Sequence, residues 1–136
     1  MSEEEMGVGP KGRALILDPS EEISGQLREV LEGKSFEVVG WNRTGANWFK
    51  LYSQYRPHLL FVDLLLPQRD GIYCINKLVA QAPEAKCIFM HTFVGEYANF
   101  IEARALKAGA SAILQKPIVL KRLETVIERF SSILLD

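Results

Sequence analysis

Short unbroken apolar runs alternate along this chain with segments of helical period. Ala14, Leu15, Ile16 and Leu17 form the first run, which stops at Asp18-Pro19-Ser20. From Ser20 to Glu32 the apolar residues Ile23, Leu27, Val30 and Leu31 recur at helical spacing, and Glu21 and Glu22 stand where a helix N-terminus favours acids. Gly33 ends that segment. Residues 36–40 read as a second strand carrying one charge, Glu37, and a second helix is expected from about Ala46 to Tyr55, stopped by Pro57. Leu59 to Val62 is the third run, and it ends on Asp63. A polar loop with Pro67 and Gly71 leads to a helix over about 72–82. Cys87 to Met90 follows as a strand, then a helix over about 96–108 that Gly109 closes. Residues 112–114 make a short fifth strand. A last helix is expected over about 120–134, with Leu123, Val126, Ile127 and Phe130 on one face.

Five strand–helix units predict an α/β fold, a (βα)5 doubly wound parallel sheet covered on both faces. The runs 14–17, 59–62 and 87–90 are apolar throughout, as central strands must be. The charged run 36–40 and the three-residue run 112–114 suit the edges. That ranking predicts the strand order 2-1-3-4-5. Residues 1–12 hold Glu3, Glu4, Glu5, Gly7, Gly9, Pro10 and Gly12 and read as a flexible N-terminal tail, leaving 13–136 as a single domain.

Composition narrows the function without naming it. The 136 residues are 48% hydrophobic and 24% charged with a formal net charge of −1, ordinary values for one globular domain. No basic stripe suggests direct nucleic-acid binding, no apolar run suggests a membrane span, and no signal-peptide core is present, so a cytoplasmic protein is expected. Cys74 and Cys87 lie in apolar surroundings without CxxC spacing and read as reduced core thiols. Trp41 and Trp48 read as packing or surface aromatics, and His58 as a solvated turn residue.

In a doubly wound sheet, ligands bind at the C-terminal ends of the strands. Here those ends carry Asp18, Asp63, His91-Thr92 and Lys116-Pro117. An acid, an acid, a hydroxyl and an ammonium on one rim suit phosphoryl chemistry. A carboxylate can be the nucleophile, acids can hold a divalent cation, and a lysine and a hydroxyl can hold the remaining oxygens. Neither GxxxxGK[ST] nor GxGxxG occurs, so the phosphoryl group is expected from another molecule. No Ser/Thr/Gly-rich loop offers a place for a flavin phosphate.

Three pieces of the sequence resemble the receiver domains of two-component response regulators. Asp63-Leu-Leu-Leu-Pro67-Gln-Arg-Asp70-Gly71 matches the D-x-x-x-P-x-x-D-G around that family's phosphoacceptor. Ala108-Gly-Ala110 is followed at Lys116-Pro117 by the family's lysine and its usually cis proline, and Ile16-Leu-Asp18 precedes the first helix. The resemblance covers about residues 13–134 and implies a flavodoxin-like, CheY-like fold. It implies that Asp63 accepts the phosphoryl group, Lys116 binds it and Thr92 supplies a switching hydroxyl. It also implies Mg2+ held by Asp18, Asp63 and the Leu65 backbone carbonyl. A sensor histidine kinase or phosphotransfer protein would be the donor in a phosphorelay, and a downstream protein or fused output domain the receiver of the signal. Enzymatic activity would be at most self-catalysed phosphoryl transfer onto Asp63 and slow autodephosphorylation.

The chain departs from that pattern at three places. The family has two adjacent acids after its first strand, whereas here Pro19 takes the second place, so weak Mg2+ binding is expected unless Glu21 or Glu22 substitutes. An ungapped count from Pro83 puts His91 at the family's Thr/Ser position and Thr92 one step beyond. Thr92 is the residue assigned, with His91 as the alternative, and the segment before Lys116 is two or three residues longer than usual. Ile113 stands where an aromatic residue often reports the switch. Pro19 and Ile113 together keep open a second reading, a phosphorylation-independent pseudo-receiver that binds proteins.

Overall fold

The computed structural model describes residues 12–132; the expected tail up to Lys11 and the last residues of the expected C-terminal helix, 133 and 134, lie outside them. The strands are β1 (Gly12–Leu17), β2 (Phe36–Asn42), β3 (Leu59–Asp63), β4 (Leu65–Leu66), β5 (Arg69–Asp70), β6 (Lys86–His91) and β7 (Ala112–Gln115). The helices are α1 (Glu21–Gly33), α2 (Trp48–Tyr55), α3 (Gly71–Gln81), α4 (Gly95–Ala108) and α5 (Leu120–Ser131). Gly12, expected in the tail, is the first residue of β1 and pairs with Phe36.

The main sheet has five parallel strands in the order β2-β1-β3-β6-β7, the doubly wound order the apolar runs predict. The charged second run and the short last run are its two edges. β4 and β5 form a separate antiparallel pair, Leu65 opposite Asp70 and Leu66 opposite Arg69. The sequence predicts only a polar loop there, because strands of two residues carry no periodicity to detect.

Side chains of a strand alternate between faces, and this divides the core in two. Leu15, Leu17, Leu60, Val62, Cys87 and Phe89 face α2, α3 and α4, where Trp48, Tyr52, Ile75, Leu78, Ile101 and Ala105 meet them. Ala14, Ile16, Leu59, Phe61, Ile88 and Met90 face α1 and α5, against Leu27, Leu31, Leu123, Ile127 and Phe130. These twelve residues of β1, β3 and β6 are all 0–1% exposed, which explains why those runs lack a polar alternate. Cys74 and Cys87 are free and buried, and burial pushes both thiols up to about 12.

Candidate functional site

Strand parity brings three charged side chains together. Asp18 continues the series Ala14–Ile16, Asp63 the series Leu59–Phe61, and Lys116 the series Ala112–Leu114, all on the α1/α5 face. Backbone pairing runs on past the strand ends: the Asp18 N–H donates to Asn42 O at 3.1 Å and the Lys116 N–H to His91 O at 2.7 Å. The three side chains therefore meet above the ends of β1, β3 and β7.

Lys116 Nζ lies 2.5 Å from Asp18 Oδ2 and 2.8 Å from Asp63 Oδ1. The other oxygen of each carboxylate accepts a backbone N–H two residues on, Ser20 N at 2.8 Å for Asp18 Oδ1 and Leu65 N at 3.0 Å for Asp63 Oδ2. Asp18 is 0% and Asp63 6% exposed. Burial raises the Asp18 carboxyl above its ordinary range, opposed by the hydrogen bond from Lys116 and that from the Ser20 N–H. One ammonium between two carboxylates leaves one negative charge uncompensated, a setting that favours a further cation.

The local sequence explains the positions. Ser20 caps α1, its Oγ accepting the Ile23 N–H at 3.2 Å. Asp70 caps α3, its Oδ1 accepting the N–H groups of Ile72 at 2.7 Å and Tyr73 at 3.3 Å. Gly71 is required because α3 begins against the backbone of Asp63: a Cβ there would lie 2.3 Å from Asp63 O. Acid, turn, cap and glycine over 63–71 thus form one construction that ends β3 and starts α3 beside the carboxylate.

Trp41 is a supporting residue that the sequence places only in packing. Its Nε1–H donates to the Asp18 carbonyl at 2.8 Å, with the Arg43 guanidinium 5.2 Å over its ring. The amide clamped is the one joining Asp18 to Pro19, so the loop is fixed from the edge strand. A lone tryptophan in a strand gives no sign of such a bond, which exists only through tertiary placement. His58 is likewise more than a solvated turn: its Nδ1 accepts the Arg13 N–H at 3.0 Å, joining the starts of β1 and β3.

The remaining candidates are placed differently. His91 is buried and turns to the α4 face, its Nε2 2.6 Å from Glu102 Oε2. Thr92 is exposed in the loop after β6, and its hydroxyl bonds neither Asp63 nor Lys116. Leu65 adjoins Asp63 through its N–H. Glu21 and Glu22 are exposed on α1, and no group of three metal-binding side chains occurs among the described residues. Two carboxylates offer hard oxygen donors suited to Mg2+ with water filling its shell, and fewer protein ligands than a tight site needs. Ile113 is partly buried and lines a concavity of about 500 Å³ with Val94, Glu102, Val119 and Arg122. The Lys116–Pro117 peptide is cis.

Residues 14–128 match the response regulator receiver domain. The chain belongs to that family. It is 31% identical over 105 residues to the chemotaxis protein CheY of Halobacterium salinarum, covering 77% of this chain and 84% of that one. The receiver domain of AraT, a response regulator from Geobacillus stearothermophilus, superposes with a TM-score of 0.78 at 26% identity, over 91% of this chain and 95% of that one. The isolated receiver domain of RcsB from Salmonella enterica serovar Typhimurium, solved with the phosphomimetic BeF3−, shares the fold with a TM-score of 0.79 at 19% identity, over 89% and 88% of the two chains. As a receiver domain, this chain has a buried carboxylate–lysine–carboxylate cluster with a proline beside it and a histidine at the end of β6. Among its described residues no helix is long and apolar enough to cross a membrane.

Proposed function

We propose that this receiver domain accepts a phosphoryl group on Asp63. The observation that supports it most is the cluster itself: Asp63 ends a central strand, one oxygen on the Leu65 N–H and the other on Lys116. An Asp63 oxygen would attack the phosphorus of a phosphohistidine or small donor, forming a P–O bond as the donor's bond breaks. Lys116 would neutralise an oxygen of the incoming group. The bond electrons would leave on the donor's nitrogen, which takes up a proton, or on the oxygen of a small acyl phosphate, which leaves as a carboxylate. Receiver domains generally bind Mg2+ at the phosphorylation site. Here Asp18, Asp63 and the Leu65 carbonyl would hold it, and the ion would supply charge neutralisation of the phosphoryl oxygens. With Pro19 in place of a second acid the affinity would be low. A histidine kinase or phosphotransfer protein is the natural donor, and a downstream protein or output domain would read the change.

A pseudo-receiver that binds proteins without phosphorylation is the second reading. Pro19 and the absence of a third acid beside Asp18 and Asp63 among the described residues favour it.

Incubation of the chain with a small phosphodonor and Mg2+, followed by intact mass, separates the two. One added phosphoryl, labile to hydroxylamine and lost in Asp63→Asn, is expected. An unchanged mass at saturating Mg2+ would leave the pseudo-receiver.

A further inference from the structure

The C-terminal rim carries a second buried polar cluster, on the face opposite Asp63. His91 ends β6 and is 1% exposed. Its Nδ1 accepts the Phe93 N–H at 3.0 Å, so the ring proton is on Nε2 and is donated to Glu102 Oε2 of α4 at 2.6 Å. The Phe93 carbonyl accepts Gln115 Nε2 of β7 at 2.6 Å. The Phe93 ring stacks on His91 with centroids 6.2 Å apart and meets Tyr97 of α4 edge-on at 4.7 Å. One loop residue is thus held at both its backbone N–H and its carbonyl by side chains from two strands. Through Glu102 the same cluster ties the end of β6 to α4.

Thr92 lies between His91 and Phe93 with its side chain exposed. Moving its hydroxyl toward an oxygen on Asp63 requires the 92–94 loop to turn inward. The peptide between Thr92 and Phe93 would turn with it, and that peptide carries the N–H bound to His91.

We propose that Glu102 and Gln115 are positioning residues which, through His91 and Phe93, latch the 92–94 loop with Thr92 turned outward, so that a phosphoryl group on Asp63 must compete with the latch. The latch rests on Asp63 being the phosphoacceptor. Latch and phosphoryl group favour different loop positions, and linkage makes their effects reciprocal. Weakening the latch therefore strengthens binding of a phosphoryl mimic, even as it lowers the stability of the fold. A contact serving stability alone would not do this.

The test is a titration of the full chain with beryllofluoride in the presence of Mg2+, followed by amide shifts, in the parent, Glu102→Ala and Gln115→Ala. Gln115 is exposed, so the second variant is expected to fold if the first does not. Loss of one hydrogen bond of ordinary strength predicts about fivefold tighter binding in each. The gain should vanish in Gln115→Ala/Thr92→Val, which lacks the hydroxyl that the loop delivers. Equal or weaker binding in both single variants overturns the latch and leaves the phosphoacceptor reading standing, as does a gain that survives in the double variant. Absence of beryllofluoride binding in the parent and in both variants overturns that reading and the latch with it.

Discussion

The two polar clusters at the rim of the sheet are separated by strand parity and built in different ways. On the α1/α5 face, Asp18, Asp63 and Lys116 each extend a central or edge strand, and every oxygen of both carboxylates has a partner. On the α4 face, His91 is fixed by its strand, but what it holds is a loop, and its own partner Glu102 is partly exposed. The first cluster is ionic and closed, and opening it strands a buried charge. The second consists of hydrogen bonds, and its outer partners, Glu102 and Gln115, can turn to water while His91 stays buried. A fold can therefore keep the first rigid while letting the second exchange partners, which is the division of labour a switch needs.

Removing the lysine should break the comparison most forcefully. Lys116→Ala leaves Asp18 and Asp63 facing each other without a counter-charge, and a loss of about 3 kcal/mol in urea unfolding at pH 7 is expected. Glu102→Ala should cost less, about 1.5 kcal/mol, because it leaves the buried His91 Nε2–H without its partner but exposes no unpaired charge. A larger loss for Glu102→Ala would reverse the proposed ranking of the two sides. The Lys116→Ala deficit should shrink in acid, because protonation relieves the carboxylates. For Asp18, whose folded carboxyl is raised above its ordinary value, ionisation costs stability as the pH climbs from about 3.8, and that cost is absent below it.

The next largest effect concerns the place Pro19 occupies. A carboxylate about 4 Å from a divalent cation gains roughly 8 kcal/mol before hydration is counted, at an effective dielectric near 20. If only about 1.4 kcal/mol survives desolvation, Pro19→Asp binds Mg2+ about tenfold more tightly. Trp41 supplies the readout, since its indole is bonded to the Asp18 carbonyl and its emission should follow the titration. Equal affinities in parent and variant would mean that another group already fills the missing place.

The smallest effect lies at the other end of the strands and serves as a control. Burial, with the Arg13 charge adding to it, holds His58 below the ordinary histidine value. A depressed histidine contributes stability that is complete above about pH 6.5 and is lost as the pH falls below it. His58→Gln should flatten the dependence of melting temperature on pH between about 5.5 and 7.5. A slope unchanged in that variant would assign the titration elsewhere.

The central part of this molecule was legible in its sequence because burial leaves long signatures. Strands covered on both faces must be apolar throughout, so β1, β3 and β6 declare themselves, and the edges follow from Glu37 and the brevity of the last run. The motif from Asp63 to Gly71 is readable because Asp70 and Gly71 have local duties, a cap and a close approach, that few other residues can perform. What escaped depends on contacts between distant segments. The indole bond from Trp41 to Asp18, the ring bond at His58 and the two-residue pair β4–β5 leave no periodicity behind. The positions 91 and 92 show the limit most clearly: counting along the chain leaves both open, and only the three-dimensional placement shows that His91 is buried toward α4 and Thr92 exposed.

The claim that most needs testing is that Asp63, and not its neighbour Asp18, is the nucleophile. After treatment with a small phosphodonor and Mg2+, borohydride reduction converts an aspartyl phosphate to homoserine, which peptide mass mapping locates. A nucleophilic Asp63 predicts that conversion at position 63 alone, and its loss in Lys116→Ala. Homoserine at position 18, or at no position with Mg2+ saturating, would contradict it.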